Sequence, residues 1–137
     1  MHPNCIFCEI AQGKRDCVSV VKKDHVLAFM DVSPINPGHI LVIPQRHAVS
    51  FYDLDEEIYL ELMLLVRHLA VHLQNVFKPR KVGMLAAGFD VDHAHVHVLP
   101  MHDYHDITSK SLLEGTRSNA TRDELEEIAA RIRHFFQ

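Results

Sequence analysis

The chain has 137 residues, of which 47% are hydrophobic and 23% are charged, and its formal net charge is −4 at pH 7. These proportions are those of a globular domain with one hydrophobic core, and they exclude collagen-like and disordered chains. The small negative charge, without any block of basic residues, argues against a nucleic-acid-binding surface, and no apolar run reaches the roughly 18 residues of a membrane span.

Three cysteines lie near the start of the chain, at Cys5, Cys8 and Cys17. The odd number of cysteines argues against a disulfide framework. The first residues lack the pattern of a signal peptide, which argues against export. We therefore expect a reducing, cytoplasmic environment. There Cys5-x-x-Cys8 is typical of a metal or redox motif.

The first half of the chain is predicted to contain three strands. Residues 18–21 and 26–29 are rich in Val and other apolar residues, and the polar residues between them favour an antiparallel hairpin. Residues 31–38 are dense in turn-forming residues. The continuous apolar run 39–43, stopped by Pro44, indicates a strand that is buried on both faces.

The second half is predicted to begin with a long helix, from about Asp53 to Phe77, because its leucines and isoleucine recur at spacings of three and four. Two strands follow, at residues 82–87 and 93–99, and the stretch 101–120 is predicted to be irregular. A capping box at residues 121–124 favours a C-terminal helix. Its apolar stripe consists of Leu125, Ile128, Ile132 and Phe135.

Three histidines alternate with apolar residues in His93-Ala94-His95-Val96-His97. Alternate side chains of a strand share one face, so the three imidazoles are predicted to lie together. Neighbouring imidazoles repel one another once they are protonated, so this alternation indicates a function. Two interpretations follow from the residues alone: the imidazoles bind a metal, or one is a nucleophile that the others support.

The segment His93–Leu99 matches the pattern His-φ-His-φ-His-φ-φ, where φ is apolar, and resembles the motif of the histidine triad (HIT) family of nucleotide hydrolases and transferases. Residues 5–10 and 27–44 resemble two further family segments, in the same order. The resemblance implies an α+β HIT fold, with an antiparallel sheet of about five strands, one long helix and a C-terminal helix. It implies a single HIT domain over 1–137, with a core at 5–100 and a tail and helix at 101–137.

The resemblance also implies roles for individual residues. His95 corresponds to the nucleophile that attacks the α-phosphorus and forms a nucleotidyl-histidine intermediate. His97 and His39 correspond to the residues that hold the phosphate and orient or protonate the site. The ribose hydroxyls are assigned to Asp31, and the apolar slot for the base to Ile6, Phe7, Phe29 and Val32.

Some HIT proteins complete a Cys-x-x-Cys half-site with two histidines, one after the central strand and one at the start of the triad. Those positions are His47 and His93 in this chain. The resemblance therefore implies a structural Zn²⁺ bound by Cys5, Cys8, His47 and His93, as in the zinc-containing bacterial branch of the family. Cys17 is left outside this set and is expected to be an inert core thiol.

Three positions depart from the family pattern. Val82 is aligned with an amide residue that contacts the α-phosphate, Phe89 replaces the Gln of a Gly-Gln pair, and Asp90 replaces a hydroxyl residue that binds phosphate. A carboxylate near a phosphate is repulsive, so these changes are expected to weaken phosphate binding.

We expect a homodimer that pairs through the long helix and the adjoining strand. The expected activity is hydrolysis or transfer at the α-phosphate of a purine nucleotide conjugate, either a nucleoside phosphoramidate or a dinucleoside polyphosphate. A phosphorylase-type or uridylyl-transferring activity is a variant of the same chemistry. Two alternatives stay open: a zinc-stabilised nucleotide-binding or interaction module without turnover, and a metalloenzyme in which His93, His95 and His97 bind one metal.

Overall fold

A computed structural model describes residues 2–108 and 118–136. These residues form an α+β structure around a five-stranded antiparallel sheet with strand order β1-β2-β3-β5-β4. Along the chain the elements are α1 (Ile6–Ala11), β1 (Ser19–Lys22), β2 (Val26–Met30), β3 (Ile40–Pro44), α2 (Glu56–Phe77), β4 (Lys81–Leu85), β5 (Val96–Met101), α3 (His105–Thr108) and α4 (Arg122–Arg133). The predicted fold class is confirmed.

The two faces of the sheet are covered by different elements. Alternate residues of the strands, such as Ala28, Val42 and Val98, pack against the apolar stripes of α2 and α4 in the main core. The intervening residues, including Phe29 and Leu41, pack with α1 on the other face, which we call the α1 face. Because both faces are covered, every residue of β2 and β3 is buried, as predicted for the run 39–43.

Helix α2 begins at Glu56, three residues later than predicted. Ser50 and Asp53 form a capping box around a short 3₁₀ turn, so Asp53 belongs to that turn, while Asp55 is the N-cap of α2. The helix ends where Lys78 adopts φ 46° and Pro79 follows. The predicted apolar stripe is buried within the helix, at Ile58, Leu62, Leu65, Leu69 and Leu73, whereas its first member, Leu54, precedes the helix and is partly buried.

Strand β5 differs from the prediction at both ends. It begins at Val96 instead of His93, so the first two histidines of the triad precede the strand. It continues through Pro100 to Met101, because β4 pairs with it as far as Lys81 and Met101, whereas the pairing with β3 ends at Ile40 and Val98. Beyond that point the carbonyl of Pro100 accepts a hydrogen bond from the side chain of Asn36 at 2.9 Å. A proline there interrupts no ladder bond to β3.

The C-terminal helix is confirmed, with its capping box between Thr121 and Glu124. Its buried residues are Leu125, Ala129 and Ile132, whereas Phe135 lies past the helix end and is exposed. The stretch predicted to be irregular contains the short helix α3, and its residues 109–117 lie outside the described part of the chain. None of the described helices combines the length and the apolar character needed to cross a bilayer.

Gly38 holds the turn before β3 tightly against the rest of the domain. Its φ is 97°, a conformation that residues with a side chain rarely adopt. A Cβ atom there would lie 2.8 Å from Cε2 of Phe77 and 3.1 Å from Cγ of Pro100. This close approach fixes the position of His39, the next residue.

Candidate active site and metal centre

Four side chains from distant parts of the chain meet beside the α1 face, at Cys5, Cys8, His47 and His93. We call them the Cys/His cluster. Cys5 precedes α1, and its thiol accepts a hydrogen bond from the backbone N–H of Cys8. Nδ1 of His93 lies 3.2 Å from Sγ of Cys5 and 3.5 Å from Sγ of Cys8, and Nδ1 of His47 lies 3.3 Å from Sγ of Cys8.

A backbone carbonyl fixes the orientation of the His93 ring. Its Nε2 lies 2.8 Å from the carbonyl oxygen of Pro44, which only accepts, so Nε2 carries the proton. The lone pair of Nδ1 then points at the two thiols. A ligating histidine usually donates its other ring N–H in this way.

The donor set fits Zn²⁺. All four ligand atoms lie within 4.8 Å of one another, and two thiol sulfurs with two imidazole nitrogens make a typical structural zinc set. Burial lowers the pKa of the His93 and His47 imidazoles, so both offer a lone pair at neutral pH. Burial raises the pKa of the Cys8 thiol, and a bound cation would offset that effect.

Cys17 lies apart from this cluster, half-buried against the apolar residues of the α1 face. Burial and the neighbouring Asp16 raise the pKa of its thiol. It therefore remains protonated at neutral pH, which makes it a poor nucleophile and metal ligand.

The ring of His95 is turned the opposite way to that of His93. Its Nδ1 lies 2.7 Å from the carbonyl oxygen of His93, so Nδ1 carries the proton and Nε2 carries the lone pair. The side chain is buried, and Nε2 has no hydrogen-bond partner among the described residues. The edge of the Phe7 ring packs against the imidazole, with centroids 5.2 Å apart. The neighbouring backbone is held by a 2.7 Å bond from the N–H of Ala94 to the carbonyl of Ala48.

His97, His39 and Asp31 form a connected buried set beside His95. The backbone N–H of Ile35 donates to Nδ1 of His39 at 3.1 Å, so His39 carries its proton on Nε2. That N–H lies 2.9 Å from Nδ1 of His97 and 3.4 Å from Oδ2 of Asp31. Donation to His97 leaves the proton of a neutral His97 on its Nε2. With His95, these residues are called the His95 group.

The three histidines of the triad do not share one metal site. Nδ1 of His93 faces the thiols of the Cys/His cluster, whereas ring nitrogens of His95 and His97 group with the carboxylate of Asp90. His93 and His95 precede β5, which begins at Val96, so the prediction that all three histidines lie on the strand is wrong. The imidazoles are nevertheless neighbours, because the Phe7 ring packs against both His93 and His95, and the ring centroids of His95 and His97 are 5.2 Å apart. The geometry also contradicts a metalloenzyme with one ion on all three.

The residues assigned to the nucleotide differ in their exposure. Phe7 and Phe29 are buried in the α1-side core with their rings edge to face, while Ile6 and Val32 are exposed. Asp31 is buried, and its Oδ1 accepts from the N–H of Ser33 at 2.8 Å. The structure thus brings His95, His97, His39 and Asp31 together and leaves Ile6 and Val32 at the surface.

The three departures from the family pattern lie in different places. Val82 packs against the main core, whereas Ala86 and Ala87 line a cavity of about 270 Å³ that opens onto His95. We call this cavity the His95 cleft. Phe89 lies at its rim and is 98% exposed. Asp90 approaches the histidine most closely, with Oδ1 3.3 Å from Nε2 of His95.

Several groups that shape the site are backbone atoms: the carbonyls of Pro44 and His93, and the N–H of Ile35. Sequence reasoning missed them, since nothing in the residue types at these positions identifies them. They decide which nitrogen of each imidazole carries a proton.

Known proteins resemble this chain in sequence and in structure. A family model described as the HIT domain matches residues 12–104. A relative named adenosine 5'-monophosphoramidase hnt1, from Schizosaccharomyces pombe, is 36% identical over 99 residues, or 71% of this chain and 74% of that protein. A Hit-like protein from Bartonella henselae has a TM-score of 0.84 at 27% identity, covering 98% of this chain and 97% of that one. A Zn-bound histidine triad family protein from Mycobacterium smegmatis shares the fold, with a TM-score of 0.76 at 23% identity and coverages of 96% and 91%.

Proposed function

Because the chain belongs to the histidine triad (HIT) family, we propose that it is a hydrolase or transferase that acts at the α-phosphate of a purine nucleotide conjugate. The substrate is a nucleoside phosphoramidate or a dinucleoside polyphosphate, and His95 is the nucleophile. One observation carries the proposal: Nε2 of His95 holds an unpartnered lone pair at the His95 cleft, while its Nδ1 proton is fixed by the carbonyl of His93.

In the first step the lone pair of His95 Nε2 forms a bond to the α-phosphorus. The bond from phosphorus to the leaving group breaks, and the leaving atom departs with the electron pair and takes up one proton from water. The imidazole then carries a positive charge. Its Nδ1–H, 2.7 Å from the His93 carbonyl, donates a charge-assisted hydrogen bond that stabilises this charge.

In the second step a water molecule attacks the same phosphorus from the side that the leaving group occupied. The bond between phosphorus and Nε2 breaks, its electron pair returns to the imidazole, and the water gives up one proton. The proton taken up in the first step is thus returned. Two displacements predict retention of configuration at phosphorus.

His97 and His39 are proposed to hold the phosphate and its protons. Since Nδ1 of His97 accepts from Nε2 of His39, the Nε2–H of His97 is the group that would donate to a phosphate oxygen. Asp31 lies 3.4 Å from Nε2 of His39 and keeps this orientation favourable. Ribose binding by Asp31 and base binding by Ile6, Phe7, Phe29 and Val32 are proposed from the resemblance.

We further propose that Cys5, Cys8, His47 and His93 hold a structural Zn²⁺. Support comes from the S₂N₂ donor set, of which Cys5, Cys8 and His93 are buried and His47 is half-buried, and from the Pro44 carbonyl that accepts from His93. Bound there, the ion would contribute folding free energy and fasten the start of α1 to the segment that carries His95.

A homodimer is proposed through α2 and the neighbouring edge strand β4. Leu60, Leu64 and Val71 are exposed on α2, and Met84 is exposed on β4. An apolar stripe of this kind is stabilised by covering it. Light scattering of the wild type and of Leu64→Lys checks this, and a monomeric wild type contradicts it. The single domain over 1–137 and the cytoplasmic location stay predictions.

The test of the reaction is mass spectrometry of the intact protein after brief incubation with an adenosine phosphoramidate and an acid-free quench. Wild type is expected to gain the mass of an adenylyl group or to release AMP, and His95→Ala is expected to do neither. His134→Ala, which removes an exposed histidine outside α2, is the matched control.

Neither adduct nor AMP from folded, metal-loaded wild type, with a wider nucleotide panel also silent, would contradict the proposed reaction. It would favour the binding module without turnover. The carboxylate of Asp90 beside Nε2 of His95 also supports that alternative, because it repels a phosphate.

A further inference from the structure

We propose that Asp90 and Asp92 make the site select its substrate by the charge of the leaving group. They favour nucleoside phosphoramidates whose leaving amine bears a second, positively charged group. They disfavour anionic leaving groups, including the phosphate chain of a dinucleoside polyphosphate. This inference rests on the proposed function and narrows its substrate class.

Asp90 lies directly beside the nucleophile. Its Oδ1 lies 3.3 Å from Nε2 of His95, and its carboxylate also groups with a ring nitrogen of His97. The bond to phosphorus forms at Nε2, so the carboxylate borders the volume that the phosphate and its leaving group must enter. The Asp90 side chain is 67% exposed, which leaves it room to turn aside without leaving the site.

The loop that carries Asp90 is open to solvent. Gly88 has φ 82° with open space around it, and Phe89 projects into solvent. Substrate entry therefore displaces an exposed side chain and leaves the buried core unchanged. The negative charge stays close to the leaving group throughout.

The charges of the other side chains around the site favour the same selectivity. The His95 cleft is lined by Asp92 and by neutral residues, among them Ser50, Tyr52, Ala86 and Ala87. A neighbouring cavity of about 510 Å³, beside Ile6, is lined by both Asp90 and Asp92. No lysine or arginine is among the described residues that line these two cavities. A site for a polyphosphate chain is expected to present such cations.

The charge acts on selectivity and leaves the chemistry of the reacting bond unchanged. For every amine the bond from phosphorus to nitrogen breaks, and the nitrogen leaves with the electron pair and takes one proton from water. A charged group further along the amine feels the two carboxylates at about 6–8 Å. Because the Asp90 side chain is 67% exposed, a dielectric constant close to that of water applies, and two carboxylates at about 7 Å then give a preference of roughly tenfold, which added salt reduces.

The experiment compares kcat/KM for three adenosine phosphoramidates of similar length, made from propylamine, 1,3-diaminopropane and β-alanine. Their leaving groups end in a methyl, an ammonium and a carboxylate. For wild type we expect the ammonium compound to exceed the carboxylate compound by at least about tenfold at low salt. Diadenosine polyphosphate is expected to be poorer still.

Asp90→Asn keeps the shape of the side chain and removes its charge, and we expect the ratio between the ammonium and carboxylate compounds to fall several-fold. Adding Asp92→Asn is expected to bring it close to one. Asp24→Asn, in the exposed turn between β1 and β2, is the control and is expected to leave the ratio unchanged.

An equal rate on all three compounds, or a ratio that Asp90→Asn leaves as it was, would overturn the charge selection while the proposed reaction stands. No hydrolysis of any compound by wild type would instead count against the proposed reaction. The two failures are thus distinguishable.

Discussion

His93 and His95 are two residues apart, both are buried, and both use one ring nitrogen to donate to a backbone carbonyl, yet they belong to different centres. His93 donates from Nε2 to Pro44 and turns Nδ1 towards two thiols. His95 donates from Nδ1 to His93 and turns Nε2 towards the His95 cleft. The contrast shows that the role of each imidazole depends on which ring nitrogen donates to a backbone carbonyl, because the other nitrogen keeps its lone pair.

The comparison also shows how the two centres are joined. The carbonyl that orients His95 belongs to His93, whose own ring is held by the Cys/His cluster. The Cys/His cluster is therefore a support for the His95 group, even though no step of the proposed reaction passes through it.

The largest expected effect comes from removing the nucleophile. His95→Ala is expected to lower kcat by more than about 10³-fold, because no other described imidazole presents an unpartnered lone pair at the His95 cleft. Zinc content by elemental analysis is expected to stay at the wild-type value. Loss of zinc in this variant would mean that the two centres cannot be separated.

The converse variant is Cys8→Ser. We expect it to lose zinc and several kcal/mol of stability, because one buried ligand is replaced by a hydroxyl that binds zinc poorly. Elemental analysis and thermal unfolding measure both effects. Cys17→Ser is the matched control, and a zinc content equal to wild type in Cys8→Ser would show that the cluster is not the metal site.

A smaller effect is expected at His39, which acts through His97. His39→Asn removes the N–H that faces Nδ1 of His97, so the orientation of the His97 proton is no longer fixed. We expect kcat to fall by about 10²-fold, with KM changing much less. His134→Asn serves as the exposed counterpart, and unchanged kcat in His39→Asn would remove His39 from the reaction.

The smallest effect concerns pH. Oδ2 of Asp106 accepts from the side chain of Asn36 and from the N–H groups of His102 and Asp103, which ties α3 to the turn before His39. Although burial opposes it, these hydrogen bonds hold the pKa of Asp106 below its usual value. The carboxylate therefore stabilises the fold above its unfolded-state pKa, and this stability is lost as pH falls through the lower folded-state pKa.

Asp106→Asn is accordingly expected to reduce thermal stability at pH 7 by a small amount and to flatten its dependence on pH below about 4. Thermal unfolding at pH 3, 5 and 7 measures this. A wild-type and variant difference that is the same at all three pH values would contradict the role of the Asp106 charge.

Features set by nearby residues could be predicted from the sequence. The run 39–43, the stripe of α2 and the capping box at Thr121 each depend on residues within one element, and all three are found. Helix α1 was not predicted, because its six residues span less than two turns and show no clear period.

The orientation of the histidines could not be predicted in the same way. Alternation placed His93 and His95 on one strand face, but the partner that turns His93 is the carbonyl of Pro44, 49 positions away. The carboxylate of Asp90 was noted as a departure from the family pattern, yet its 3.3 Å approach to His95 depends on the path of the loop. Such contacts are long-range and involve backbone atoms, to which residue types give no guide.

Gly38 has a consequence for anyone who varies this protein by random mutagenesis. Any side chain there meets Phe77 and Pro100, in a backbone conformation that already disfavours it. Substitutions at Gly38 are therefore expected to vanish from a library selected only for folded protein. The absence of substitutions at Gly38 would then identify the turn that positions His39, in the same way as the absence of substitutions at His39.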